Sequence, residues 1–355
     1  MSTAPSLVLL APSAGLGGGI ERVADAVAKA WPEHVDRIDM LDTSRPVATR
    51  GRKLVFGARS ILAAVRRPRC AVLVIHAGLL PPAALVARLT PARVYLYGMG
   101  TEVWGPMSRP QRVGVQACHG LLAISSFTAD RMASRSGVAR RSVEVVYLPV
   151  DEELLALAGA PPVSAPAEIR FLTVSRLIPE HRYKGHQSVA AAFANVLREI
   201  PSARWTVVGD GSDRRGLEDR CRELGIRDAV DFRGAISDED LAAEYRGATA
   251  LVLPSASDPD AVPPVGEGFG LVYAEAGAFG VPSIAHENGG GALDYVRDGE
   301  TGLTVDGQEA LGAAMLLLAR DPALRSRLGA AARDLTFERH AGHRFAAALR
   351  AALAG

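Results

Sequence analysis

The chain has 355 residues, 48% apolar and 22% charged, with a formal net charge of +1. This length allows about two domains with their own cores, and the composition excludes a mainly disordered chain. No apolar run approaches the ~20 residues of a membrane span, MSTAPSLVLLAPS lacks a basic region ahead of a signal core, and Cys70, Cys118 and Cys221 have no zinc-binding spacing, so a reducing cytoplasmic setting is expected.

The small net charge conceals an asymmetry. Residues 1–150 hold 19 Lys and Arg against 9 Asp and Glu, a balance of +10, whereas residues 151–355 hold 21 against 30, a balance of −9. Ten basic residues and no acidic one lie between Thr43 and Thr101. Halves this different are expected to meet different partners.

In chain order, LVLLA (7–11) predicts a buried strand, and IERVADAVAKAW (20–31) a helix. Between them SAGLGGGIERV (13–23) forms a Gly-rich turn that lets backbone approach a ligand, ahead of a helix start that favours an anion. A dinucleotide fingerprint, with Asp39 or Asp42 on the ribose, is the competing reading. Ile20 stands where that pattern needs Gly or Ala, which argues against a dehydrogenase. RGRKLVFGARSILAAVRRPR (50–69) predicts a helix with Leu54, Ala58, Ile61, Leu62 and Val65 on an apolar stripe and Arg52, Arg59 and Arg66 seven apart on another face. Such a helix suits an anionic membrane surface; a helix packed on its sheet with a solvated basic face is the alternative. Strands follow at AVLVIHA (71–77), ARVYLYG (92–98), GLLAIS (120–125) and VEVVYLP (143–149).

After the Ala- and Pro-rich stretch LAGAPPVSAPAE (157–168), read as a linker, strand–helix alternation restarts. Strands are expected in IRFLTVS, ARWTVVG, AVDFRG, ALVLPS and GVPSIAH, with helices between them, and the segment from Asp321 to Leu353 reads as helices alone. Two doubly wound parallel sheets follow, which bind ligands outside the C-terminal ends of their strands. VSRLIPEHRYKGH (174–186) places Arg176 at a strand end and Lys184 before a helix, two cations suited to a diphosphate. EGFGLVYAE (267–275) turns into a helix, with Leu271, Val272, Ala276 and Phe279 on its apolar stripe and Glu275 beside it. A carboxylate there needs hydrogen-bond donors or a cation: ribose hydroxyls in one reading, an Arg in the other. Glu267 lies before the helix, near amides of residues 270–272 that attract phosphate or sugar oxygens. Asp258-Pro259-Asp260 makes an unusual approach to it, and an Asp-x-Asp pair can hold a metal.

Together these stretches resemble the family 4 glycosyltransferases. The motifs are Gly17-Gly18-Gly19, GTEVW (100–104), AISSFTA (123–129), LPVD (148–151), VSRL with YKGH, VVGDG (207–211), DFRGAISDEDL (231–241), PS (254–255), EGFGLVYAEA with its Glu-x7-Glu spacing, GVPSIAHENGG (280–290) and DGETGLTV (298–305). The resemblance implies a GT-B fold of two Rossmann-like domains facing a cleft. Residues 1–160 would bind acceptor, 161–335 would bind donor, and 336–355 would form a C-terminal helix returning to the first domain. It implies a retaining, metal-independent hexosyltransferase without cofactor, using a UDP- or GDP-sugar. Gly17 and Gly18 would meet the diphosphate, Arg176 and Lys184 would neutralise it, and Glu267 would hold the transferred sugar. Backbone from Gly268, Phe269, Gly270 and Leu271 would lie beside Glu267, with Glu275 on the ribose and the turn at Ala235 and Ile236 seating the base. Met99 replaces a family His, for which His76 or His119 is the candidate substitute; Glu102 is the other acceptor or sugar contact. Two carboxylates also serve glycosidases, but Glu275 is assigned to ribose, which argues against hydrolysis. The expected acceptor is lipid-linked or otherwise anionic, with docking through residues 50–69 to the inner face of the membrane and no nucleic acid partner. Transfer to a small soluble metabolite, epimerase-like conversion without an acceptor, and a scaffold role are the alternatives.

Overall fold

Leu7–Ala11 and Ala71–Ile75 are apolar at nearly every position and buried throughout, as strands covered on both faces must be. The computed structural model describes residues 6–14, 19–31, 33–43, 47, 49–67, 69–159 and 168–354. The chain divides into two units, the first formed by residues up to Pro149, Pro259–Pro264 and the segment from Gly342, the second by Val150–Asp258 and Val265–Ala341. The division thus falls at 149/150 and at 341/342, where the sequence suggested 160 and 336. The linker expected at 157–168 lies mostly outside the described residues.

The first unit runs β1 (Leu7–Ala14), α1 (Gly19–Ala30), β2 (Val35–Asp42), α2 (Arg50–Arg66), β3 (Ala71–Val74), α3 (Leu80–Leu89), β4 (Arg93–Gly98), α4 (Thr101–Trp104), α5 (Arg109–Gln116), β5 (Gly120–Ala123), α6 (Ser126–Ser136) and β6 (Val143–Val145). Its strands lie in the order β2-β1-β3-β4-β5-β6, all parallel, with Leu7 opposite both Val35 and Ala71. The second unit runs α7 (Glu152–Ala158), β7 (Arg170–Val174), α8 (His186–Glu199), β8 (Arg204–Val208), α9 (Arg214–Glu223), β9 (Val230–Gly234), α10 (Asp238–Gly247), β10 (Ala250–Val252), α11 (Leu271–Ala278), β11 (Ser283–His286), β12 (Gly302–Val305), α12 (Gly307–Arg320) and α13 (Pro322–Arg339). Its parallel order is β12-β11-β10-β7-β8-β9. The last helix, α14 (Gly342–Ala354), belongs to the first unit, where the Tyr95 hydroxyl donates to the Leu353 carbonyl at 3.0 Å.

α2 turns the apolar stripe read from the sequence outward. It buries Phe56, Gly57, Ser60 and Ala64 against the unit, while Leu54 (75%), Val55 (57%), Leu62 (47%) and Val65 (55%) are exposed. The stripe read from the sequence is therefore the outer one, and only Ile61 is drawn partly inward. Thr49 caps this helix, its Oγ1 accepting from the Arg52 amide at 3.3 Å.

Candidate active site

In each sheet the winding direction reverses once, between β1 and β3 in the first and between β7 and β10 in the second. Ligand sites in open α/β sheets sit at such reversals, outside the strands' C-terminal ends. In the second unit the loops leaving β7 and β10 bring together residues 83 positions apart. The Lys184 ammonium donates to Glu267 Oε2 at 2.7 Å, with the two side chains 12% and 13% exposed. Ser255, just beyond β10, donates to the same oxygen at 3.4 Å, and the Glu267 amide donates to Ser257 Oγ at 3.1 Å. Both side-chain partners of Glu267 engage Oε2, so Oε1 has capacity for an incoming hydroxyl. An ammonium has three donors, and Glu267 occupies one.

Arg176 follows β7 with its side chain exposed, its Nη2 3.5 Å from His181 Nε2. His181 lies in the 3-10 turn Pro179–Lys184, and burial, then Lys184 and Arg176, hold its pKa below the ordinary value. Arg176, His181, Lys184 and Glu267 thus form one electrostatic cluster. Gly270 precedes α11 at φ +79°, and a Cβ there would come within 2.5 Å of the Tyr273 ring, so this helix start requires glycine. Gly268, Gly270 and Leu271 are partly exposed. Phe269 is not: its ring is buried 4.9 Å from that of His340, so only its main chain can face a ligand.

Glu275 lies within α11 and is 6% exposed. It accepts a 2.9 Å hydrogen bond from the hydroxyl of Tyr245 on α10, whose ring stacks on Phe279 at 5.4 Å. The Tyr245 phenol is thus one donor to this buried carboxylate. The apolar stripe also shifts: Tyr273 to Phe279 are buried, whereas Leu271 and Val272 are only partly covered. Ile236 is partly exposed in the turn between β9 and α10, ahead of the capping Ser237.

In the first unit Gly17 and Gly18 lie outside the described residues. His76 and Glu102 follow the neighbouring strands β3 and β4. His76 Nδ1 accepts from the Gly78 amide at 2.9 Å, which assigns the ring proton to Nε2, and burial lowers its pKa. Glu102 Oε1 accepts from the Met99 amide at 2.6 Å; burial pushes its carboxyl up to about 7 despite the surrounding backbone donors. His119 is removed from contention. It stands before β5 with its Nδ1 on the Val94 amide at 3.2 Å, at the sheet's opposite edge. Asp260 accepts from both Arg131 and Arg135 of α6, and two guanidinium groups oppose a cation there.

The sequence reading gave no role to His181 or Tyr245 and carried Ser255 only within the PS motif at 254–255. Ser255 had a signal, its place directly after a strand; Tyr245 had none, since its bond to Glu275 joins separate helices.

Residues 162–335 match the family described as Glycosyl transferases group 1. The chain is 33% identical over 227 residues to a GDP-mannose-dependent alpha-(1-6)-phosphatidylinositol monomannoside mannosyltransferase of Mycobacterium tuberculosis, covering 59% of this chain and 55% of the relative. It is 34% identical over 235 residues to a D-inositol 3-phosphate glycosyltransferase of Streptomyces avermitilis, covering 61% and 48%. The matches thus span about half the length of these relatives. Among solved structures, HepE of Anabaena in complex with UDP superposes with a TM-score of 0.79 at 17% identity over 99% of both chains. A glycosyltransferase of Rickettsia africae superposes with a TM-score of 0.77 at 16% identity over 98% and 97%. At such identities the likeness speaks for the fold, which is the GT-B pairing of two Rossmann-like domains. Within that fold, residues 162–335, which hold the Lys184–Glu267 site, are matched to the group 1 glycosyl transferases.

Proposed function

We propose that the protein is a family 4-like, retaining glycosyltransferase that moves a hexose or N-acetylhexosamine from a UDP- or GDP-sugar to an acceptor hydroxyl. The observation that carries this is the convergence of Arg176, Lys184 and Glu267 at the reversal between β7 and β10, ahead of a Gly-shaped helix start. Arg176 and the remaining donors of Lys184 bind the diphosphate, and Glu267 Oε1 receives a sugar hydroxyl. The main chain from Gly268 through Phe269 and Gly270 to Leu271 lies beside that sugar. Glu275, with one lone pair engaged by Tyr245, takes the ribose, and the turn at Ile236 seats the base. The first unit receives the acceptor near His76 and Glu102.

In the reaction the bond from the anomeric carbon to the diphosphate oxygen breaks while the acceptor oxygen bonds on the same face. The acceptor's proton passes to the released phosphate. Negative charge grows on the leaving oxygen, and fixed cations and helix N–H groups aimed there stabilise it without a metal ion. The GDP-mannose-dependent relative and the UDP-bound fold neighbour support a nucleotide-sugar donor. The α2 surface, four exposed apolar side chains beside Arg52, Arg59 and Arg66, supports a lipid-linked acceptor at an anionic membrane face.

The test is a thermal-shift panel of nucleotide sugars on the whole chain, followed by turnover assays with Lys184→Ala and Glu275→Ala. At least one donor should stabilise the wild type, and each variant should stay folded and lose roughly a hundredfold or more in transfer. Full activity in both variants removes this mechanism. Donor conversion without acceptor, seen by mass spectrometry, favours an epimerase-like protein instead.

A further inference from the structure

We infer that His186 is a positioning residue of the donor site, holding through Ser175 the main chain that carries Arg176. The inference rests on the glycosyltransferase reading above for the identity of its ligand, a nucleoside diphosphate. His186 opens α8 and is 8% exposed, with its Nε2 2.9 Å from Ser175 Oγ. Ser175 Oγ in turn donates to the Arg176 carbonyl at 2.9 Å. A serine hydroxyl has one proton to give. Because that proton goes to Arg176, the ring must be the donor to Ser175, which fixes His186 as the Nε2–H tautomer. The ring is neutral at ordinary pH, since burial and the neighbouring Lys184 push its pKa down to about 4.

The opposite side of the same loop is clamped by backbone. The Ser175 amide donates to the Val208 carbonyl and the Leu177 amide to that of Asp210, each at 2.9 Å. The approach is so close that a Cβ on Gly209 would stand 2.0 Å from the Ser175 carbonyl oxygen, and one on Gly211 2.1 Å from that of Leu177. Residues 175–177 are thereby fixed between β8's exit and α8's first residue. Arg176 itself is exposed. Its guanidinium joins the cluster with His181, Lys184 and Glu267. A ligand that needs Arg176 therefore depends on the hydroxyl–imidazole pair beneath it, and one that meets only base and ribose seats does not.

The experiment compares UDP and GDP with uridine and guanosine by calorimetry on the whole chain and on four variants. His186→Leu and Ser175→Ala remove the relay; His186→Gln and Ser175→Thr keep a side-chain donor and a hydroxyl. The first two should weaken diphosphate binding about tenfold, the scale of one lost hydrogen bond, with nucleoside binding unchanged. The second two should restore most of it. Wild-type diphosphate affinity in Ser175→Ala, or an equal loss for nucleoside and diphosphate, overturns the inference. Should His186→Leu fail to fold, Ser175→Ala with its threonine control carries the comparison. A wild-type chain that binds neither diphosphate overturns the donor reading itself, a different result from normal binding in the variants.

Discussion

Glu102 shows how one side chain can be tuned by its surroundings. It sits in the first turn of α4, where the amides of Met99, Gly100 and Glu102 itself favour the carboxylate, yet burial outweighs them and raises its pKa from 4.5 to about 7. Between those two values the folded chain keeps a proton that the unfolded chain has released. Stability therefore falls as pH rises through that window, and the cost is complete above it. In Glu102→Gln the amide oxygen can still accept from Met99, and the titration is gone. Denaturant unfolding from pH 5 to 8 should show the variant gaining on the wild type as pH rises, with no difference accruing further above about 8. Parallel curves would refute the assignment. Near neutrality the same carboxyl is poised to accept or give a proton. Residues of this kind were legible where their place in the chain set them at a ligand-binding edge of the sheet. Lys184 and Glu267 stood at a strand exit and before a helix start, and the fold joins them. The Tyr245–Glu275 bond and the inward turn of Phe269 were not legible, because both depend on how helices pack, which local spacing does not encode.

At the scale of elements, buried strands read clearly because their apolar runs are continuous. β2 was overlooked for the opposite reason: VDRIDMLD lies at the sheet's edge, mostly half-exposed, and alternates polar with apolar side chains. α2 was legible as a helix with an apolar stripe, whereas the residues that face the core were not. Its core contact uses Phe56 together with the small Gly57, Ser60 and Ala64, which permit close packing, and Leu54, Leu62 and Val65 are left outside. With Arg59 and Arg66 exposed alongside, this outer face has the composition of an interfacial helix. Sedimentation with vesicles rich in anionic lipid should carry the wild type down at low salt and release it at high salt, since such attraction decays within about 10 Å at 0.1 M salt. Arg52→Glu, Arg59→Glu and Arg66→Glu combined should abolish binding, and Leu62→Ser should weaken it even at low salt. Binding that ignores both salt and these charges would show that α2 is not the contact.

For the whole molecule, the chain's two units draw on distant parts of the sequence. The first takes in its final helix: α14 buries Phe345, Ala346, Leu349 and Leu353 among residues that come before 150. Full burial of a Leu or Phe contributes about 1.5–3 kcal/mol, so removing this helix takes away several kcal/mol. That is comparable to the whole 5–15 kcal/mol that holds a typical domain together. The site around Lys184 and Glu267 draws on none of it, since every residue that builds it lies in the second unit. A chain ended at residue 341 should therefore lose amide protection in β1 and β4 while β7, β10 and α11 stay protected. A saturating nucleoside diphosphate should further slow exchange in the second unit, by about 2.7 kcal/mol at a hundred times its dissociation constant, in the full and shortened chains alike. Hydrogen exchange read peptide by peptide separates the cases. Retained protection in β1 and β4 would mean that α14 is dispensable to the first unit. Loss of the nucleotide effect would mean that the donor site needs the first unit intact, and that the charge division at residue 150 does not mark two independently stabilised bodies.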